Sequence, residues 1–329
     1  MIEGPPLQLM VDPSVTPVAI HTPVPLPIHW RDDIKVGLNR DVRLGVIEPV
    51  PVGEPVKWCH RMVVCSKNNG KPRRTVDLQP LNADATRETH HTQSPFHQAR
   101  SAPQGTIKYV FEAWNGYHNV PLREEARHLT TFIAPWGRYR YCTAPQGYIA
   151  SGDGYSRRFD ELRAEVSNKT KCIDDTLLWS NSLEESFFQA CNWLDICGRN
   201  GITLNPENFI FGQETVEFAG CEITADSARP CRKFLNAIID YPQPRNITDI
   251  RSWFGFINQV SYAFHISMTE RMLPFRDFLK PGTPFHWNEN LDEVPAESKR
   301  VIVSEIEEGV RIFDKSKRHA LPQIGLKSG

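Results

Sequence analysis

Cys172-Ile173-Asp174-Asp175-Thr176-Leu177-Leu178-Trp179 sets two adjacent carboxylates between two short apolar runs. A buried strand does not carry two charges without compensation. The pair is therefore expected at a turn, with Thr176 onward as the return strand. An ordinary turn has the same pattern, and Asp32-Asp33 is a second such pair, assigned to a solvated helix face. A third acid, Glu112, closes the apolar strand expected over residues 107–111. If the two strands pair, the three carboxylates converge. Two adjacent acids on a hairpin facing a third from a separate strand make a divalent-metal site of the phosphoryl-transfer kind.

Outward from this point the local signals are plain. The run Lys67-Asn68-Asn69-Gly70-Lys71 separates strands expected over 61–66 and 73–78, and Asn-Gly is a strong hairpin signal because both residues tolerate positive φ. Between residues 57 and 74 the charged side chains are Lys57, Arg61, Lys67, Lys71, Arg73 and Arg74, with no acid among them. A basic hairpin of this kind suits a lid over phosphates. Residues 289–308 are acidic instead, the pattern of a solvated face.

Strands over 130–134 and 139–143 flank Pro135-Trp136-Gly137. A helix is expected over 32–44, and another over 153–164 with Tyr155, Phe159 and Leu162 at helical spacing. Ser182-Leu183-Glu184-Glu185 is a capping box, and the helix behind it is expected to bury Phe188, Cys191, Leu194 and Cys197 and to stop at Gly201. Asn246 and Asp249 start a further helix with the stripe Ile250, Trp253, Phe254, Ile257 and Val260. The first 55 residues are proline-rich and are expected to lie as an extended arm across the rest.

Composition limits the function classes. The chain has 329 residues, 40% hydrophobic and 23% charged, enough for more than one core. The formal net charge of -1 gives no whole-chain support for nucleic-acid binding, so such a surface must arise from local segregation. Eight cysteines without a CxxC pair argue against zinc. No apolar run reaches the ~20 residues of a membrane span, and an intracellular protein with reduced thiols is expected.

Five blocks make the chain recognisable. KNNGKPRRTVDLQPLN (67–82), FEAWNGYH (111–118), APQGYIAS (144–151), CIDD (172–175) and LNPENFIFGQETVEFAG (204–220) follow one another in the order and spacing of a known family. The chain resembles the reverse transcriptase region of the Pol polyprotein of gypsy-type long-terminal-repeat retrotransposons, over nearly its whole length. The resemblance implies an α+β, right-hand polymerase fold: fingers, a palm with an antiparallel sheet, a thumb and a partial connection segment. It implies an N-terminal arm over 1–55, fingers over 56–106 and a palm over 107–225 with inserted finger strands at about 118–144. A thumb-like region over 226–280 and a connection with a truncated ribonuclease H start over 281–329 follow.

Carried over by position, Glu112, Asp174 and Asp175 are the catalytic and metal-holding acids for two Mg²⁺ ions, with Mn²⁺ as a substitute. Lys67 and Arg73 match the residues that hold incoming triphosphate, and Tyr117 the one that closes over the sugar. Gln146 and Gly147 match the segment touching the nascent base pair, and Phe218 and Gly220 the hairpin supporting the primer. Trp114 is expected to pack in the core. The implied partners are an RNA or DNA template with its primer and deoxynucleoside triphosphates.

The chain departs from the pattern at Glu112, where the family has Asp, and at Asn208, where a Lys is common. Ile312-Phe313-Asp314 resembles the approach to a ribonuclease H domain, without that domain's first catalytic strand following. Two readings stay open: an RNA-directed DNA polymerase performing two-metal nucleotidyl transfer, and a catalytically dead nucleic-acid-binding protein or retroelement remnant. A third, another palm-domain enzyme such as a nucleotide cyclase, explains neither Pro145-Gln146-Gly147 nor Tyr117.

Overall fold

The computed structural model describes residues 1–67, 70–162, 166–259, 280, 299–304 and 310–311. Its strands are β1 (Ile47–Pro49), β2 (His60–Ser66), β3 (Pro72–Asp77), β4 (Ile107–Glu112), β5 (Phe132–Ala134), β6 (Gly137–Tyr141), β7 (Lys169–Cys172), β8 (Asp175–Ser180), β9 (Ile210–Gln213), β10 (Val216–Phe218), β11 (Cys221–Ile223), β12 (Ser227–Pro230) and β13 (Val310–Arg311). Its α-helices are α1 (Arg31–Arg43), α2 (Gln79–Ala83), α3 (Pro95–Ala99), α4 (Ser151–Leu162), α5 (Leu183–Arg199), α6 (Arg232–Ile239) and α7 (Ile247–Gln259). They divide between two compact units.

The first unit comprises Met1–Thr92, Phe111–Ser167 and Phe187–Asn208. Its five-stranded sheet has the order β1-β6-β5-β2-β3. All neighbours are antiparallel except β2 and β5. The β2–β3 register runs from Arg61 opposite Asp77 to Ser66 opposite Pro72. Lys67 N–H donates to the Lys71 carbonyl and Gly70 N–H to the Lys67 carbonyl, with Gly70 at φ +75°, so the hairpin closes as expected; Asn68 and Asn69 lie outside the described residues.

The N-terminal arm is extended, with single bridges from Leu7 to Leu122, Val11 to Ala85 and Ala19 to Cys59. Ile2, Leu7 and Leu9 are buried by it, so the arm adds apolar contact to the unit. Helix α1 buries Ile34 and Leu38 and leaves Asp32 and Asp33 exposed in its first turn, where acids favour the helix dipole. In α4, Tyr155 and Phe159 are buried, and the Phe159 ring meets Trp193 of α5 at 5.6 Å.

Helix α5 corrects one expectation. Phe188 is 64% and Leu194 48% exposed, and Cys191 is exposed; Ala190, Trp193, Ile196 and Cys197 are the buried residues. Both sets repeat at helical spacing, so periodicity could not choose between them. The face carrying Trp193 is the one turned inward, against Phe159. The helix ends at Gly201, φ +67°, where Ile202 N–H donates to the Cys197 carbonyl, an end that needs a left-handed residue.

The second unit comprises Gln93–Val110, Asn168–Ser186 and the described residues from Phe209 onward. One sheet has the order β7-β8-β4-β9 and another β10-β11-β12-β13. Phe96, Val110, Leu177, Trp179, Phe218 and Ile223 belong to the apolar core of this unit. Lys108 is fully buried within β4; its ammonium donates to the Thr106 and Glu214 carbonyls, which satisfies a charge that β-periodicity alone would not place inside. The capping box forms, with Ser182 Oγ accepting from Glu185 N–H. The Glu185 carboxylate reaches past Ser182 to Asn181 N–H at 3.1 Å. Asn246 Oδ1 caps α7 through Asp249 N–H, and Ile250, Trp253 and Ile257 are buried. Val260, much of the expected thumb, most of the connection segment and Ile312-Phe313-Asp314 lie outside the described residues.

Candidate functional site

The Asp pair sits at a two-residue turn in the second unit. Cys172 pairs with Asp175, so Ile173 and Asp174 form the turn and β8 begins at Asp175. Ile173 has φ +53° and is 54% exposed. A β-branched residue in the left-handed region costs on the order of 1–3 kcal/mol and persists only where its surroundings impose it. Here the Leu177–Trp179 core on one side of the turn and the β7–β8 register impose it. Asp174 and Asp175 are half-buried. Burial, with the Asp175 and Asp174 carboxylates adding and Lys171 opposing, pushes the Cys172 thiol up to about 11.

Glu112 ends β4 and belongs to the first unit. There its backbone is tied to the segment before Pro206: Ala113 bridges Leu204, Asn205 N–H donates to the Glu112 carbonyl at 2.8 Å, and Trp114 N–H to the Thr203 carbonyl at 2.8 Å. The Glu112 side chain meets the same segment. Its Oε2 accepts from Asn205 Nδ2 at 2.8 Å and from Asn208 Nδ2. Pro206–Asn208 is a 3₁₀ turn, in which residues three apart stand over one another, so both amides point at one carboxylate. Trp114, expected in the core, is 39% exposed and has the Arg40 guanidinium over its ring at 5.8 Å. A strand-end position next to a turn leaves an indole one covered face.

Lys67, Arg73, Tyr117, Gln146 and Gly147 fall in the first unit. Lys67 and Arg73 are exposed on the β2–β3 hairpin. Arg74, one residue on, points the other way, as strand alternation demands. It donates to the buried Asp41 of α1. Tyr117 lies in a 3₁₀ turn entered through Asn115 at φ +50°. Its ring stands edge-on to Tyr155 at 5.7 Å and 82°. Burial, with Arg74 and Arg40 adding and Asp41 opposing, pushes the neighbouring His118 down to about 4.

Gln146 is half-buried and Gly147 exposed. Gly147 has φ +95°, a conformation glycine adopts without strain. Its carbonyl accepts from Asn82 Nδ2 at 2.8 Å, and Asn82 Oδ1 accepts from Ile149 N–H at 2.9 Å. Asn82 thus holds the Gln146-Gly147 loop. It closes the 67–82 block, yet no local signal marks that role, because its partners are 65 and 67 positions away. In the second unit Phe218 is buried in the core, leaving the Ala219-Gly220 turn, both at positive φ, as the accessible part of that hairpin.

The donor set Glu112, Asp174 and Asp175 is all carboxylate oxygen, the hard donor Mg²⁺ takes. Glu112 Oε2 in the first unit accepts two amide N–H groups, and no group of three His, Cys, Asp or Glu side chains able to hold a metal ion occurs among the described residues. No helix among them is long and apolar enough to cross a membrane.

Residues 65–223 match the family described as Reverse transcriptase (RNA-dependent DNA polymerase). The chain is 24% identical over 298 residues to the Transposon Tf2-3 polyprotein of Schizosaccharomyces pombe, a match covering 89% of this chain and 22% of that polyprotein. It is 23% identical over 254 residues to the putative enzymatic polyprotein of Cassava vein mosaic virus, covering 75% and 39%. Among solved structures it is similar to the foamy viral protease-reverse transcriptase dRH in complex with double-stranded DNA, with TM-score 0.81 and 16% identity over 94% of this chain and 53% of that one. The foamy viral enzyme in complex with RNA/DNA hybrid gives TM-score 0.77 and 16% identity over 94% and 40%.

The fold is the α+β, right-hand polymerase fold of retroviral reverse transcriptases. The chain carries a reverse transcriptase domain and is related to the polyproteins of long-terminal-repeat retrotransposons, of which it spans well under half the length.

Proposed function

We propose that this chain is the polymerase region of a gypsy-type retrotransposon, an intracellular RNA-directed DNA polymerase that extends a primer on an RNA or DNA template. The observation that carries this reading is the strained Ile173-Asp174 turn, which presents two acids at the head of a strand whose other residues are core. Strain of that kind clusters at functional sites. Lys67 and Arg73 are assigned to the triphosphate of the incoming deoxynucleotide, where the guanidinium fork can donate to two phosphate oxygens. Tyr117, braced by Tyr155, closes over the sugar, and Gln146 and Gly147 meet the nascent base pair. The turn at Ala219-Gly220 supports the primer.

The proposed reaction is two-metal nucleotidyl transfer to the primer 3′-hydroxyl, in which divalent ions neutralise charge on the transferring phosphate. Asp174, Asp175 and Glu112 are the acids that would hold Mg²⁺, or Mn²⁺ in its place, and Glu112 Oε2 accepts two amide N–H groups. That engagement of Glu112 favours a second reading, a chain that binds template and primer without extending them.

Primer extension on a homopolymer RNA template separates the two. Extension with Mg²⁺ or Mn²⁺ that Asp174→Ala abolishes supports the polymerase. Template–primer binding without extension, in folded protein and with either ion, supports the second reading.

A further inference from the structure

Glu112 and Asn208, 96 positions apart, are bonded to each other. Asn208 Nδ2 and Asn205 Nδ2 both donate to Glu112 Oε2. We propose that Asn208 is a positioning residue that withholds the Glu112 carboxylate from divalent ions. This rests on the reading of Glu112, Asp174 and Asp175 as the acids of a polymerase.

The chemistry follows from length and shape. A glutamate carries its carboxylate about 1.5 Å further from the backbone than an aspartate. At the end of β4 that extra methylene brings Oε2 to the 3₁₀ turn. Asn205 is fixed there independently: its N–H donates to the Glu112 carbonyl, and its Oδ1 accepts from Glu207 N–H at 3.2 Å. Asn208 is exposed, and its side chain supplies the second amide three residues on. Two N–H groups on one carboxylate oxygen compete with a metal ion for the same lone pairs. Hydrogen bonds to a charged group are also the stronger kind.

The test is Mn²⁺ binding to the chain with template and primer, read from the electron paramagnetic resonance signal of free Mn²⁺, with primer extension alongside. Removing one charged hydrogen bond from the competing state is worth roughly a factor of ten in an equilibrium. Asn208→Ala is therefore expected to tighten Mn²⁺ binding about tenfold. Glu112→Asp, which withdraws the acid from Asn208, is expected to tighten it comparably. The double variant is expected to add nothing beyond Glu112→Asp, because that change already removes the Asn208 contact.

Unchanged or weaker Mn²⁺ binding in Asn208→Ala overturns the proposal, as does full additivity of the two changes. Asp174→Ala reads the underlying assignment separately. If it weakens Mn²⁺ binding while Asn208→Ala does nothing, the amide clamp alone is wrong. If it leaves Mn²⁺ binding intact, the metal-site assignment falls and the clamp with it.

Discussion

Arg74 of β3 donates to Asp41 of α1, and both side chains are largely buried, at 12% and 7% exposure. A buried pair of this kind ties the hairpin strand to the helix, and breaking it by removing one partner leaves an uncompensated charge. Asp41→Ala is expected to destabilise the chain by about 3 kcal/mol, read from urea unfolding. A loss under ~1 kcal/mol, the range of an exposed pair, would mean that Arg74 reaches water.

The same pair bears on His118, whose pKa stands at about 4 against an ordinary 6.5, chiefly through burial. The folded chain holds the imidazole neutral while the unfolded chain protonates it. Stability from this group is therefore complete above pH 6.5 and is lost as pH falls towards 4. The full effect is up to roughly 3 kcal/mol. His118→Gln is expected to flatten the acid side of a stability–pH curve between those limits. An unchanged slope would place the acid sensitivity in other groups.

Asn82→Ala removes both hydrogen bonds that hold the loop of Gln146 and Gly147. The expected cost is about 1–2 kcal/mol in stability. If the loop touches the nascent base pair, KM for deoxynucleotide rises severalfold with a smaller change in kcat. Equal loss in kcat and kcat/KM would instead assign Asn82 to the transition state.

Tyr117 stands edge-on against Tyr155, which fixes its ring. Tyr117→Val shortens the side chain and is expected to admit ribonucleotides into product, seen as alkali-labile primer extension. Rejection of ribonucleotides by the variant at the level of the native chain would remove Tyr117 from the sugar site.

The inward face of α5 gives a test independent of activity. Trp193→Ala is expected to cost about 3–5 kcal/mol, whereas Phe188→Ala, at a position 64% exposed, stays within ~0.5 kcal/mol. The reverse order would turn the helix by roughly a third of a turn or more.

Much of this was legible along the chain, and for a consistent reason. The Asn-Gly hairpin, the Ser182 and Asn246 caps, the stop at Gly201 and the turn at Asp174 depend on residues within a few positions of one another. The five ordered blocks added the polymerase fold, because motifs that distant agree only when one architecture spaces them. Trp114 and the face of α5 were misplaced where two apolar patterns competed and only a distant neighbour could decide.

By itself, then, the sequence determined the local elements, the acid pair at its turn and the basic hairpin. Tertiary structure alone decided that Arg73 faces outward while Arg74 is bonded to Asp41, that Asn82 holds Gly147, and that Glu112 and Asn208 meet. Glu112 and Asn208 are 96 positions apart. Local propensity acts across a turn or a strand, whereas a contact over that separation exists only once packing has brought two segments together.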